Sequence, residues 1–206
     1  MVSRVRPASD FDQITSDLAI WHGYESAVKA ELYSTCLVTC HGTYLIDPIP
    51  LQSEALDELV GSGSVAGIIV TSSNHHRASA WFAEQFSTPI LARCETFPDT
   101  ASLPFRKVAD SDKICDELDV IYIEGAAPGE IVLHYASDGG TLIVGDALIN
   151  FDPYGFTFLP AKYCSNAKEM RRSLRKLLAY KVERMLFAHG TPILSRASER
   201  LRGLLG

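Results

Sequence analysis

Five side chains that can bind a metal ion, move a proton or hold an anion follow two apolar runs and one glycine-bounded run of this sequence. The runs cover residues 68–71, 140–145 and 185–188, and each has the composition of a buried β-strand. A strand that ends abruptly in polar residues places them at a sheet edge, where several strands can contribute to one site. Imidazole and carboxylate groups bind zinc and iron and also act as general acids and bases. The side chains are His75, His76, Arg77, Asp146 and His189.

The composition limits the classes of protein to which the chain can belong. Its 206 residues are 47% apolar and 21% charged, which predicts one domain over residues 1–206 with a full core. The formal charge of −6 argues against nucleic acid as a partner, because phosphate binding needs a clustered positive surface. No run approaches ~18 apolar residues, which predicts no membrane span. Residues 1–13 lack the apolar core of a signal peptide, so we expect a cytoplasmic protein.

One stretch of the chain is locally basic. It contains Arg171, Arg172, Arg175 and Lys176, with leucines at helical spacing between them. We interpret it as the solvated face of an amphipathic helix over residues 167–178.

The remaining pattern predicts strands and helices in mixed order. A hairpin comes first, then a strand–helix–strand unit, then a meander, then helix–strand–helix, with no internal repeat. Hairpin-rich sheets with intermittent helices favour two sheets packed face to face with helices outside. The predicted strands cover residues 35–40, 43–47, 65–71, 88–92, 119–124, 130–136, 141–145 and 182–188, and the predicted helices 53–59, 77–86, 167–178 and 195–204.

Five segments, in this order, resemble the motif series of the metallo-β-lactamase fold. Asp47 ends a strand as the first-motif aspartate does, and residues 68–71 precede the place of the family's Thr-His-x-His-x-Asp-His motif. Residues 125–130 are similar to the Gly-His-Thr-Pro-Gly segment, residues 141–146 to the bridging-aspartate strand, and residues 188–190 to the final histidine. The resemblance implies a four-layer αββα sandwich of two mixed β-sheets, an α+β fold with outer helices.

The same alignment of motifs implies that the dinuclear metal site of the family is lost. Ser72 and Asn74 stand in place of the two early histidines, and Ala126 in place of the middle one, so no ligand of the first metal site remains. Of the second site, Asp146 and His189 remain.

Two further substitutions change the charge of the site. His76 stands where the motif has a carboxylate, and Arg77 replaces its last histidine. The form Thr-x-x-x-His-x-Arg also resembles a divergent branch of the superfamily in which a histidine and an arginine replace the metal-binding motif. In that branch the corresponding residues would be His75 and Arg77. The sequence does not decide whether His75 or His76 points into the cleft, because a loop has no fixed period.

We favour the hypothesis of a metal-free cleft that binds a small, anionic molecule. In this hypothesis Arg77 lies beside Asp146 and supplies the positive charge where a metal would otherwise sit. Arg77, Asp146 and His189 are the candidate catalytic or binding residues, joined by a histidine at 75 or 76. No cofactor is required.

The alternative hypothesis is a mononuclear, metal-dependent hydrolase. Two histidines and one carboxylate suffice for one zinc, iron or manganese ion with open positions for water. The ligands would be His76, Asp146 and His189, with His75 as the alternative to His76. Both hypotheses predict a small-molecule substrate or ligand and leave the substrate, the reaction and the oligomeric state, including a homo-oligomer, open.

Overall fold

The computed structural model describes residues 5–97 and 105–206 of the chain. In these two ranges the structure has thirteen strands and four α-helices, with short 3-10 helices between some of them. The strands are β1 (Asp12–Gln13), β2 (Leu18–Glu25), β3 (Ala30–Thr39), β4 (Gly42–Ile46), β5 (Val65–Ile69), β6 (Ile90–Ala92), β7 (Phe105–Lys107), β8 (Leu118–Tyr122), β9 (Ile131–Tyr135), β10 (Thr141–Val144), β11 (Leu148–Phe151), β12 (Gly155–Phe158) and β13 (Arg184–Phe187). The α-helices are α1 (Ser53–Val60), α2 (Ser79–Gln85), α3 (Ala167–Ser173) and α4 (Ala197–Leu205).

Two mixed sheets form the centre of the protein. The larger has the order β1-β2-β3-β4-β5-β6-β7, antiparallel up to β4 and parallel from β4 to β7. The smaller has the order β13-β10-β9-β8, in which β13 and β10 are parallel and the other pairs antiparallel. Strands β11 and β12 form a separate hairpin. The parallel pairs β4–β5 and β10–β13 matter most here, because the candidate residues follow their carboxyl ends.

Three apolar clusters show how the sheets and helices are layered. One cluster lies between the sheets and joins residues such as Leu37 of β3 to Leu133 of β9. A second packs α1 and α2 on the outer face of the larger sheet, and a third packs α3 and α4 on the smaller sheet. Strand β9 is buried along its whole length because both of its faces are covered. The predicted four-layer αββα sandwich is confirmed.

The structure differs from the sequence prediction in several segments, among them β7 (Phe105–Lys107), where no strand was predicted. Strands β1 and β2 and the hairpin of β11 and β12 were not predicted, because Gly23 and the Asp152-Pro153 pair interrupt the alternation typical of strands. The helix predicted over residues 167–178 is α-helical only to Ser173 and continues as a 3-10 helix over Leu174–Ala179. Among the described residues, no helix has the length and apolar content that a bilayer span requires.

Candidate functional site

The candidate residues converge where strands of both sheets end. In the smaller sheet Val144 of β10 pairs with Phe187 of β13 in a parallel ladder. Asp146 and His189 each follow that pair by two residues, so the ladder brings both side chains to the same edge. In the larger sheet Asp47 follows β4, and the loop of residues 71–77 follows β5. The two sheets therefore contribute opposite sides of one site.

His75 occupies the centre of the site and bridges two carboxylates. Its Nδ1 lies 2.9 Å from Asp47 Oδ2, and its Nε2 lies 3.1 Å from Asp146 Oδ1. His189 reaches the same oxygen, with its Nε2 3.3 Å from Asp146 Oδ1, and the two imidazole rings are 5.4 Å apart. His75 is 1% exposed. Two imidazoles thus point at one carboxylate oxygen, and a second carboxylate holds the far side of His75.

Each carboxylate has further hydrogen-bond donors. Asn74 Nδ2 donates to Asp146 Oδ2 at 2.8 Å, and Ser72 Oγ donates to the same oxygen at 3.3 Å. Asp47, at a φ of +49°, accepts from the backbone N–H of Thr71 at 2.8 Å and from the Thr71 hydroxyl. The side chains that replace the early histidines therefore hydrogen-bond the surviving aspartate or its neighbours.

The charges of the cluster follow from these contacts. Burial opposes ionisation of Asp146, yet the positive charge of His75 and the hydrogen bonds from His189 and His75 hold its pKa well below the ordinary value. Asp47 also has a lowered pKa, because His75 and Arg77 outweigh its burial. Burial works against protonation of His75, but Asp146 and Asp47 raise its pKa to about 10. The cluster therefore contains an imidazolium between two ionised carboxylates.

His189 has the opposite shift. Burial lowers its pKa, and the positive charges of His75 and Arg77 lower it further, against the effect of Asp146. The imidazole of His189 is therefore neutral at pH 7, and it is the more exposed of the two histidines, at 18% of its side chain.

The structure places His76 and Arg77 away from the Asp146 carboxylate. His76 points to the far side of the loop, where its Nε2 lies 2.7 Å from the carbonyl oxygen of Thr96 and its ring stacks on Phe97 at 4.2 Å. Of the two adjacent histidines, the structure brings His75 and not His76 to Asp146 and His189. The reason is local: Asp47 and Thr71 bind the Nδ1 side of His75 and fix its direction.

Arg77 makes its hydrogen bonds to backbone carbonyls. Nη1 donates to Tyr33 O at 2.5 Å and to Asp47 O at 2.9 Å, and Nη2 donates to Ala188 O at 3.2 Å. Within the described ranges no carboxylate lies within ion-pair distance of its guanidinium, so the bidentate pair with Asp146 expected from the sequence is not formed. Its charge acts on Asp47 and Asp146 at longer range. Arg77 thus ties together the chain segments that carry Asp47 and His189.

The sequence analysis did not single out Glu130, which lies behind the site. Its side chain is completely buried, and its pKa is raised well above the ordinary value by burial and by the charge of Asp146. Oε1 accepts from the backbone N–H of Ala147 at 2.9 Å, while Oε2 has no hydrogen-bond partner among the described residues. A single acidic residue at the start of the apolar run 131–135 was the available signal. Burial thus favours the neutral, protonated form of Glu130.

The donor set fits one metal ion. Ligand atoms of His75, Asp146 and His189 all lie within 4.8 Å of one another. Atoms bound at ~2.0–2.1 Å to a tetrahedral ion are roughly 3.3 Å apart, close to the distances at which the two imidazoles approach Asp146 Oδ1. The carboxylate of Asp47 on the other nitrogen of His75 is the partner that metal-bound histidines commonly have.

Comparisons with known proteins agree with this architecture. The family model described as "Metallo-beta-lactamase superfamily" matches residues 13–206. The crystal structure of DIM-1 metallo-beta-lactamase superposes with a TM-score of 0.76 at 12% identity, covering 98% of each chain. A metallo-beta-lactamase from Erythrobacter litoralis superposes with a TM-score of 0.74 at 15% identity, also covering 98% of each chain. A family protein from Thermus thermophilus gives 0.67 at 17% identity, covering 94% of this chain and 79% of that one. No curated protein matches the chain.

Proposed function

Because the chain belongs to the metallo-beta-lactamase superfamily, we propose that it is a hydrolase with a single metal centre in place of a dinuclear one. The ligands are His75, Asp146 and His189. This proposal rests mainly on one observation. The Nε2 atoms of His75 and His189 both point at Asp146 Oδ1, and Asp47 contacts the other ring nitrogen of His75.

The side chains around this centre support one ion and not two. Ser72 and Asn74 occupy positions of the early histidines and donate hydrogen bonds to Asp146. Ala126, in the place of the middle histidine, has no ligand atom and is 1% exposed. A second ion would therefore lack its ligands.

Each residue of the cluster has a defined task in this proposal. Asp47 fixes the ring of His75 through Nδ1 and so directs Nε2 at the centre. Ser72 and Asn74 hold one oxygen of Asp146 and leave the other for the ion. Neutral His189 offers a lone pair at pH 7 without first losing a proton. When bound, the ion supplies an acidified water molecule and polarises an ester, amide or phosphoester.

A second candidate function is a metal-independent binding site, the hypothesis favoured by the sequence. It is supported by the four donors on Asp146 and by the protonated His75, whose charge fills the cation position. The cleft would then bind a small anionic molecule by hydrogen bonds. Arg77 makes no direct pair with Asp146, so this second function has less support than the first.

Metal titration separates the two functions. Chelator-treated protein is titrated calorimetrically with Zn²⁺ and Mn²⁺ in buffers of different ionisation enthalpy. We expect one ion per chain, with release of the proton that His75 carries between its two carboxylates. The Asp47→Asn variant should bind the ion 10- to 100-fold more weakly, the range typical of outer-shell partners (~1–3 kcal/mol).

The chain offers a matched control in the neighbouring histidine. His189→Gln should abolish binding of the ion, whereas His76→Gln, on the far side of the loop, should leave the affinity unchanged. A hydrolase screen with ester, amide and phosphoester substrates should show activity only after the ion is restored. A stoichiometry of zero for every ion tested would refute the single-metal proposal and leave the metal-independent site.

A further inference from the structure

A cavity of about 710 Å³ lies outside the site described above, between α3 and the carboxyl end of α4. Its volume is in the range typical of small-molecule sites, about 300–1,000 Å³. The lining residues are Phe158, Asn166, Lys168, Glu169, Arg171, Arg172, Arg175, Leu204, Leu205 and Gly206. Four of the lining side chains are cationic and one is acidic, in a chain whose formal charge is −6.

The cationic side chains reach one cavity because of their spacing. Arg171 and Arg172 follow Lys168 by three and four residues, and Arg175 follows them by four and three, so the four side chains share one face of α3 and the 3-10 turns after it. All four side chains are exposed, as predicted for the solvated face of a helix. The structure adds that the end of α4 closes this face into a concave pocket.

Contacts within the protein hold the three guanidinium groups in place. Arg171 lies over the ring of Phe158, with Cζ 4.8 Å from the ring centroid. Arg175 donates through Nε to the carbonyl oxygen of Leu205 at 3.3 Å, and Arg172 through Nη2 to Glu169 at 3.2 Å. Each contact uses part of the guanidinium and leaves other N–H donors for a ligand.

The balance of charge at this cavity is unusual for the chain. Among the described residues, Lys168, Arg171 and Arg175 have no carboxylate within ion-pair distance. Lys176, the next residue along, instead contacts Glu124 at 3.0 Å. On the cavity side of this helix, Arg172 alone of these four is paired with a carboxylate among the described residues, so positive charge is in excess there, whereas Lys176 beside the cavity is paired with Glu124.

From these contacts we infer that the cavity binds a small organic phosphate. Guanidinium forks match the oxygens of a phosphate group, and three groups already held in place lose little freedom on binding it. Phe158, Leu204 and Leu205 give the cavity an apolar wall for the organic part of the ligand. The negative charge of the chain as a whole disfavours long polyanions such as RNA. The inference does not depend on the proposed metal centre.

Calorimetric titration of the full chain with ADP and with sodium pyrophosphate tests this inference. Chelator is present throughout, so that no phosphate binds through a metal ion. At about 0.15 M salt, where surface charges are screened, we expect ADP to bind and pyrophosphate to bind more weakly, because it cannot use the apolar wall. Equal affinity for the two, or no binding of ADP at millimolar concentration, would overturn the inference.

Charge-matched variants distinguish binding of ADP at the cavity from an effect of the overall charge of the protein. Arg171→Gln with Arg172→Gln should weaken ADP binding at least ~10-fold, because each lost charge-assisted hydrogen bond costs about that factor. The control, Lys176→Gln with Lys181→Gln, removes the same charge outside the cavity and should change ADP affinity less than ~2-fold. Thermal unfolding checks that both double variants are folded. Equal weakening in the two would contradict a site at this cavity.

Discussion

Replacement of His75 by glutamine tests whether an imidazolium between Asp47 and Asp146 stabilises the metal-free protein. The two carboxylates raise the pKa of His75 from 6.5 to about 10. A group whose pKa is raised on folding binds its proton more tightly in the folded state. Its stabilisation is complete below the unfolded-state pKa and is lost as the pH rises through the folded-state pKa. The window for His75 therefore extends from 6.5 to about 10.

The size of the effect follows from one additional proton bound by the folded state. Such a difference changes the free energy of unfolding by ~1.4 kcal/mol per pH unit. Between about pH 7 and about pH 8.5 the wild-type chain should lose about 2 kcal/mol of stability. Glu130 also has a raised pKa, so its effect on stability has the same sign as the pH rises, and the part due to His75 is the difference between wild type and the His75→Gln variant. Two further shifted groups act outside this interval. His189 has a lowered pKa and contributes below 6.5, and the pKa of the buried Cys36 thiol is raised from 9.0 to about 12.

Urea unfolding of chelator-treated protein at the two pH values measures this loss. His75→Gln should be less stable than wild type near pH 7 and should lose the part of the pH dependence that His75 causes, about 2 kcal/mol over this interval. The control His76→Gln should retain it, because His76 contacts a backbone carbonyl outside the cluster. A wild-type stability that does not change over this interval would refute the reasoning, even if His75→Gln failed to fold. So would a His75→Gln variant that kept the full dependence.

Substitutions at three further positions probe the surroundings of the cluster. In urea unfolding, Arg77→Gln should lower the free energy of unfolding by about 3 kcal/mol, because buried carbonyl groups lose a charged donor. Arg77→Lys should restore only part of this stability. Gly145→Ala should cost about 1–3 kcal/mol in the same assay, because a Cβ there would lie 2.7 Å from the Thr71 hydroxyl and 2.8 Å from Glu130 Oε1. Glu130→Gln should change the free energy of unfolding near pH 7 by less than ~1 kcal/mol, since the amide resembles the protonated acid. Glu130→Ala should lower it by more than ~2 kcal/mol, because the backbone N–H of Ala147 would lose its acceptor.

The parts of the site that depend on strand pairing could be predicted from the sequence. Asp146 and His189 follow apolar runs that pair in parallel, so equal distances beyond the paired residues bring them to one edge. The mixed order of strands and helices favoured two packed sheets, and the resemblance carried by five motifs in order implied the four-layer sandwich. Where strands pair regularly, the position of a residue in the sequence therefore predicts its position in space.

The loop of residues 72–77 could not be predicted in the same way. It has no repeating geometry, so the choice between His75 and His76 depends on distant partners, Asp47 and Thr71, and on a φ of +38° at Arg77. The contacts of Arg77 are to carbonyl groups, which every residue has, and so no residue type marks them. Glu130 was missed for a related reason: its neutral state arises from complete burial, a property of the folded protein.

The charges of the buried cluster predict how it would respond to a metal ion. Asp47 and Asp146 carry two negative charges, and His75 and Arg77 carry two positive ones, while His189 and Glu130 are neutral. The opposite charges of these side chains therefore balance, as the burial of charged groups requires. If His75, Asp146 and His189 held a divalent ion in place of the proton of His75, the cluster would carry one excess positive charge. An anionic substrate would cancel that charge, so the charges of these side chains predict that the protein with one ion bound would prefer anionic substrates.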